Sequence, residues 1–315
     1  MSETNHNSKN KLHGLWALTN RELKKWYKAP VIFALSIIQP IIWMGLLGRS
    51  LDIGALFKGS SLMPPGFTEN ITSSLLQHGM PPAQIGPFMI ELGNLFSGLG
   101  QSVMTNTFGT SDYFSFMAVG MIAFTALFTT SFSGMSVVWD RRLGFLNKVL
   151  STPVSRAVII LSKVLSATLR SMFQAGIILL ISLPFGFVVG AAFTPLNILG
   201  VFAMLCLICM GLSSMFIAIN IRSTRIETPM AVMNLLNLPL TFASNAFFSI
   251  DKMPTWLQYV AQVNPISYTI DGMRQLLIVD SINYTQIATD FAIVGVFAAV
   301  LTTIGIVLSW RFLNK

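Results

Sequence analysis

The chain has 315 residues, of which 53% are hydrophobic and 10% charged, with a mean hydropathy of +0.67. Globular chains carry roughly 25% charged residues, so a water-soluble enzyme of this length is excluded. The formal charge of +8 on so apolar a chain fits the basic flanks of membrane spans better than a nucleic-acid footprint, and no nucleic-acid partner is expected.

Residues 11–28 come first. Leu12, Leu15, Trp16, Leu23 and Trp26 fall toward one side of a helix, with Arg21, Glu22, Lys24 and Lys25 mostly on the other. That pattern predicts an interfacial helix on the inner membrane surface, apolar face down and cations toward lipid phosphates. The polar and basic sequence before the first long apolar run is unlike a secretory signal, which places the N-terminus in the cytoplasm.

A bilayer core of about 30 Å takes roughly 20 apolar residues as helix. Six spans meet that length: Val31 to Leu47, Tyr113 to Val138, Ala157 to Val189, Leu196 to Asn220, Pro229 to Ile250 and Phe291 to Trp310. Lys9, Lys11, Arg21, Lys24, Lys25 and Lys28 precede the first span, and Arg141, Arg142, Lys148, Arg156 and Lys163 lie in or near the second-to-third connection. Arg222, Arg225, Arg311 and Lys315 fall on that same side, whereas Lys58, Lys252 and Arg274 fall opposite. The positive-inside rule then puts both termini in the cytoplasm of a multi-pass protein of the cytoplasmic membrane.

The external connection, residues 50–112, is long and rich in Gly, Pro, Ser, Thr and Asn, with PPGF and GMPPAQIGP marking turns and a helix expected from Phe88 to Phe108. Asn70 opens an NIT triplet of the glycosylation pattern.

In the second span Thr125, Thr129, Ser133 and Ser136 share one face, and in the fifth so do Asn234, Asn237, Thr241 and Asn245. At about 100° per residue each set lies within an arc of roughly 80°. Two readings stay open: hydrogen bonds between membrane helices, or the lining of a transport route with Phe242, Phe247 and Phe248 as its outer apolar gate.

Residues 140–152 predict a short cytoplasmic helix ending at the approach to Pro153. Leu143, Leu146, Val149 and Leu150 form its apolar stripe, and Arg141, Arg142 and Lys148 its polar side. Such a helix can seat in a groove of another protein and pass force to two spans, although an interfacial connector would show the same periodicity.

Arg170 and Gln174 lie four residues apart in the third span, with Lys163 seven before Arg170. A cation at the bilayer centre costs at least about 2.5 kcal/mol, so Arg170 is expected near the inner end of its helix or facing the bundle, with Glu227 a candidate partner. Cys206 and Cys209 stand in the apolar run VFAMLCLICMGL, where packing explains them better than redox or metal chemistry. His6, His13 and His78 are scattered, and no metal site is expected. Residues 250–290 are too long and apolar for a plain loop, and Pro254 and Pro265 are placed as helix starts, which predicts external re-entrant half-helices that close a pathway or pack as a lid.

Three separated stretches carry a family resemblance. RRLGFLNKVLSTPVSRAVIILSKVL (from Arg141), NRELKKWYKAPVIFALSIIQPIIWMGLLG (Asn20 to Gly48) and MPTWLQYVAQVNPISYTIDGMRQLL (Met253 to Leu277) occur in order. They resemble the cytoplasmic signature, the entry to the first span and the external Asn-Pro-(aliphatic)-(Ser/Thr)-Tyr segment of type-2 ABC export permeases. The resemblance implies an all-α integral membrane permease, a single domain over residues 1–315, that forms a homodimer in membrane lipid. It further implies binding of a separate ATP-binding cassette ATPase subunit and export of a hydrophobic or amphipathic compound, drug or lipid-like. ATP and magnesium would then sit on the partner and no cofactor on this chain, in which no GxxxxGK[ST] phosphate loop occurs. Coupling would fall to Arg21 and Glu22 of the interfacial helix and to Arg141, Arg142, Gly144, Phe145, Leu146 and Lys148 of the coupling helix. A self-sufficient secondary transporter or channel is the alternative, and it would need an ion or proton site for which the spans offer few carboxylates.

Overall fold

A computed structural model describes residues 2–50, 65–108, 110, 112–152 and 154–313, and among them are helices and turns but no strand. Residues 51–64 of the expected external connection, with Lys58, lie outside the described residues, as do Pro153, Lys315 and the side chains of Lys9 and Lys11.

Helix α1 (Ser2–Tyr27) is followed by α2 (Pro30–Trp43), and the two meet at a bend of 77°. Pro30 opens α2, where its missing N–H removes one donor that would otherwise lack a partner. The helix continues as a π-helical turn, Met44–Ser50. Two helices follow in the external connection, α3 (Phe67–Gln77) and α4 (Pro82–Phe108), the second containing the expected helix and extending it toward its N-terminus.

Helix α5 (Tyr113–Arg142) is the axis of the bundle. Asp112 caps it, accepting from the Ser115 amide at 2.9 Å and the Ser115 hydroxyl at 2.7 Å. All residues from Tyr113 to Ala123 are buried, because neighbours stand on every side: α7 (Arg156–Ser182), α8 (Pro195–Asn220), α9 (Glu227–Phe242) and α11 (Pro265–Leu277). A central helix needs apolar residues all round, and Met117, Met121, Ile122 and Leu127 of α5 interlock with Met204, Leu205, Leu212 and Phe216 of α8 in one core. The last helix, α12 (Tyr284–Leu313), packs chiefly along α8. Small residues let these backbones approach: a Cβ on Gly134 of α5 would sit 2.5 Å from the Phe216 carbonyl oxygen of α8.

By length and composition, four described helical stretches can cross a membrane, or five when the bent α1–α2 pair is taken as one span. Several expected boundaries move. The third span stops at Ser182 rather than Val189, because the chain turns at Leu183–Gly186, where Gly186 has φ 91°. The expected fifth span, Pro229 to Ile250, is helical only over the 16 residues of α9, and Pro239 lies inside that helix. The last helix starts at Tyr284, ahead of Phe291. Residues 250–290 therefore divide into a 3-10 turn (Ile250–Lys252), α10 (Thr255–Val263), α11 and the first turns of α12. Pro254 and Pro265 stand at the starts of α10 and α11, as their φ restriction favours.

The expected helix over residues 140–152 is shorter. Residues 140–142 complete α5, a turn through Gly144 (φ 68°) follows, and α6 is Phe145–Leu150. Glycine enters the left-handed region without the Cβ clash that other residues meet there.

Gly120 of α5 lies so close to the Ala246 carbonyl that a Cβ would overlap it, whereas Gly295 of α12 has nothing within 4 Å. Gly120→Ala should therefore cost about 1–3 kcal/mol by overpacking and lower the thermal unfolding midpoint of the purified protein. Gly295→Ala should leave it unchanged or slightly raised.

Candidate functional site

The cytoplasmic-signature residues converge on a cluster of buried charges. Lys163 of α7 and Asp140 of α5 form a pair at 2.5 Å, their side chains 4% and 5% exposed. Lys163 also donates to the Ser136 hydroxyl at 3.1 Å and lies 3.6 Å from Glu22 of α1. Lys25 bridges the two acids, at 2.8 Å from Asp140 and 3.1 Å from Glu22, and Arg21 pairs with Glu22 at 2.8 Å. An ion buried alone is costly, so each charge here depends on the others for its place.

This geometry corrects the expected polar face of α1, from which Glu22 turns inward. Glu22 and Thr19 are buried against the bundle with Leu18 beside them, while Leu12 and Trp16 are exposed. Trp26 packs edge-on against Phe33 of α2 and Phe173 of α7. Arg170 likewise does not meet Glu227, which is exposed at the start of α9. Its Nε donates to the Ser166 carbonyl at 3.3 Å.

Helix α6 is mounted on this cluster. The Arg21 guanidinium lies 3.1 Å from the centroid of the Phe145 ring, a cation–π contact. Leu146 and Val149 are buried against Ile159 of α7, with Leu18 of α1 at the edge. Leu146, on the expected apolar stripe, thus points inward and holds the helix down. Arg142, Leu143, Asn147 and Lys148 are exposed, Leu143 at 73%. Arg141 turns sideways, its Nη1 donating to the Ser223 carbonyl at 3.4 Å. Of the expected coupling residues, Arg21, Glu22, Phe145 and Leu146 build the mount, Gly144 makes the turn, and Arg142 and Lys148 face out.

The polar faces of α5 and α9 are placed apart. Thr129 donates to Gln174 Oε1 of α7 at 2.6 Å, Ser133 bonds to the carbonyls of Thr130 and Ser213, and Thr125 bonds to the Met121 carbonyl in its own helix at 2.8 Å. The link from α5 to α9 comes from Ser131, whose hydroxyl donates to Asn237 Oδ1 at 2.7 Å. Thr241 and Asn245 are buried, whereas Asn234 is exposed. Phe242 and Phe248 are exposed, and Phe247 packs half-buried between Phe124 and Phe242. One chain does not bring these residues together around a route.

Sequence reasoning passed over two polar side chains that hold the far end together. Asn264 accepts from the Ile266 amide at the start of α11 and donates to the carbonyls of Leu240 and Ala243 at 2.7 and 2.8 Å, so one amide serves the end of α9 and the start of α11. Arg274 donates to the carbonyls of Phe116 and Ala246 at 3.1 and 3.2 Å and stacks over the Phe116 ring. The available signal was a lone arginine in the mostly apolar segment Pro265–Leu277.

Residues 80–278, from the loop before α4 to the end of α11, match the family described as ABC-2 type transporter. The chain is 34% identical over 199 residues to a protein of Pyropia yezoensis named as a transport permease, ycf38, a match covering 61% of this chain and 66% of that one. It is 30% identical over 265 residues to the protein of the same name in Cyanophora paradoxa, covering 83% of this chain and 73% of that one. It is 26% identical over 170 residues to the daunorubicin resistance ABC transporter permease protein DrrB1 of Streptomyces coeruleorubidus, covering 53% and 59%. The chain thus spans just under two thirds of the length of the Pyropia relative.

Asp140→Asn removes the nearest countercharge of Lys163 and should destabilise the protein by about 3 kcal/mol, the lower end for breaking a buried pair because Glu22 stays near. Asp140→Asn combined with Lys163→Met should recover most of that loss, and Lys25→Ala, at a side chain 43% exposed, should cost under about 1 kcal/mol. Thermal unfolding of the purified variants checks the order.

Proposed function

The chain belongs to the ABC-2 type transporter family, and from that premise we propose that it is the membrane subunit of an ATP-driven exporter of hydrophobic or amphipathic compounds. It is a multi-pass membrane permease; the ATP-binding cassette subunit that docks on it is a separate polypeptide, which holds the ATP and magnesium. The observation that carries the reading is the arrangement of α6. Its inner face is packed on α7 and α1, its first ring lies under Arg21, and its outer face offers Arg142, Leu143, Asn147 and Lys148. A push on that face reaches α1, α5 and α7 through the shared ion cluster rather than dissipating in a loose loop.

Two copies of the chain would frame the route. The exposed apolar side of α9, with Leu235, Leu238 and Phe242, supports association there, since among the described residues these side chains stay uncovered. Asn234 stands on the same helix and would then face the route. The family names of relatives support the cargo class: one is named for daunorubicin resistance and another, of Escherichia coli, as a multidrug ABC transporter permease.

The test reverses charge on the outer face of α6 and leaves its mount intact. Arg142→Glu with Lys148→Glu should abolish co-purification of the companion ATPase from native membranes and reduce export at least tenfold, with the thermal midpoint of the permease unchanged. Wild-type recovery of the companion, or export by the purified chain alone on an imposed proton gradient, would overturn the proposal.

A further inference from the structure

Helix α4 carries an apolar line that its own chain leaves open. Ile85, Phe88, Leu92, Leu95 and Leu99 recur at alternating intervals of three and four residues, the a and d positions of a heptad. Ile85 is covered and Leu92 half-buried, whereas Phe88, Leu95 and Leu99 are 38%, 59% and 50% exposed. Helix α3 takes the adjoining e line, its Phe67 ring standing 5.7 Å from that of Phe96. Among the described residues α4 meets the bundle through its last turns, where Met104 enters the core and Phe108 packs edge-on against Tyr113 and Phe116 at 5.1 and 5.0 Å.

Lipid does not account for this line. At a rise of 1.5 Å per residue the 30 residues of α5 reach about 45 Å, more than a hydrocarbon layer of about 30 Å requires. Helices α4 and α5 lie end to end in one helical stretch, Pro82–Arg142. The 27 residues of α4 thus carry the chain beyond the bilayer, on the side opposite the Asp140–Lys163 pair. An apolar row there faces water unless a protein covers it.

The pattern itself names the cover. Alternation of three and four is how a helix seats against a copy of itself, knob into hole. Copies inserted in one membrane point the same way, so two α4 helices meet in parallel with like positions side by side. The one charged residue of α4 is Glu91, at a g position, and the e positions that g residues flank in a parallel pair hold Met89, Phe96 and Val103, so no like charge opposes the pairing. The base of α4 is also joined to the outward side of α9. Phe108 packs on Tyr113, the Tyr113 hydroxyl lies 3.4 Å from the Phe247 carbonyl, and the Phe247 ring is 5.8 Å from that of Phe242.

We infer that α4 pairs in parallel with the α4 of a second copy of this chain, through Phe88, Leu92, Leu95 and Leu99. The inference rests on the two-copy reading above and adds to the contact along α9 a second one outside the bilayer. A seam this short would not hold free peptides together, but association along α9 keeps the two helices at high effective concentration.

The experiment uses the full-length protein in native membranes, with single cysteines introduced and oxidised by copper phenanthroline. Leu95→Cys and, separately, Leu99→Cys should give a disulfide-linked dimer, at least tenfold more of it than Ser97→Cys, which lies across the helix from the seam. Both seam positions are exposed, so neither substitution disturbs packing within the chain. The unsubstituted chain, with Cys206 and Cys209 inside α8, sets the background. Leu235→Cys on α9 reads the two-copy association separately. A cross-link at Leu235 with none at Leu95 or Leu99 overturns the seam and leaves that association standing, whereas no cross-link at any of the three overturns both. Cross-linking of Leu95→Cys to a different polypeptide, or equal yields at Leu95 and Ser97, would overturn the inference as well.

Discussion

The cost of holding Lys163 charged inside a helical bundle governs the architecture around it. A buried ammonium persists only where a carboxylate stands against it and its remaining protons are bonded. Asp140 and Ser136 come from α5, Glu22 comes from α1, and the lysine itself comes from α7. Three helices must therefore reach one point, and the short helix α6 links two of them. The turn at Gly144 and the bend between α1 and α2 are the backbone changes that bring the chain to that point.

The other end meets a different demand with similar means. Backbone that leaves helical form in an apolar setting needs new partners for its carbonyls. Where α9 ends, Asn264 supplies two donors and Arg274 supplies another, and the Tyr113 hydroxyl lies 3.4 Å from the Phe247 carbonyl. The Asn-Pro pair thus has a physical role: the proline starts α11, and the asparagine before it bonds two helices at once.

Much of this was legible in the sequence because apolar length and proline position are local properties. The long helices, the starts of α10 and α11 and the presence of a short helix within residues 140–152 all follow from a few neighbouring residues, although the break at Gly144 did not. What pattern could not show was which polar residues meet. The periodicity of residues 11–28 put Glu22 on an outer face, whereas Lys163, distant in sequence, draws it inward. Leu146 belonged to a stripe that could face either way, and Ile159 with Leu18 decided it. The hydroxyl face of α5 was read correctly as a face, yet its bonds go to α7 and α8, while Ser131 makes the link to α9. The length of α9 was overestimated because residues 243–250 are apolar enough to extend a helix, and the donors that unwind them lie downstream.

Helix α9 has 16 residues. At a rise of 1.5 Å per residue it is about 24 Å long, some 6 Å short of a hydrocarbon layer of about 30 Å. A bilayer accommodates a short apolar helix by thinning beside it, at a fraction of a kcal/mol per ångström. Because α9 also turns Leu235, Leu238 and Phe242 outward, that local dip falls on the part of this side that a second copy of the chain leaves to lipid. Membrane thickness then becomes a mechanical variable for this protein: a thicker bilayer raises the strain beside α9, and a thinner one releases it.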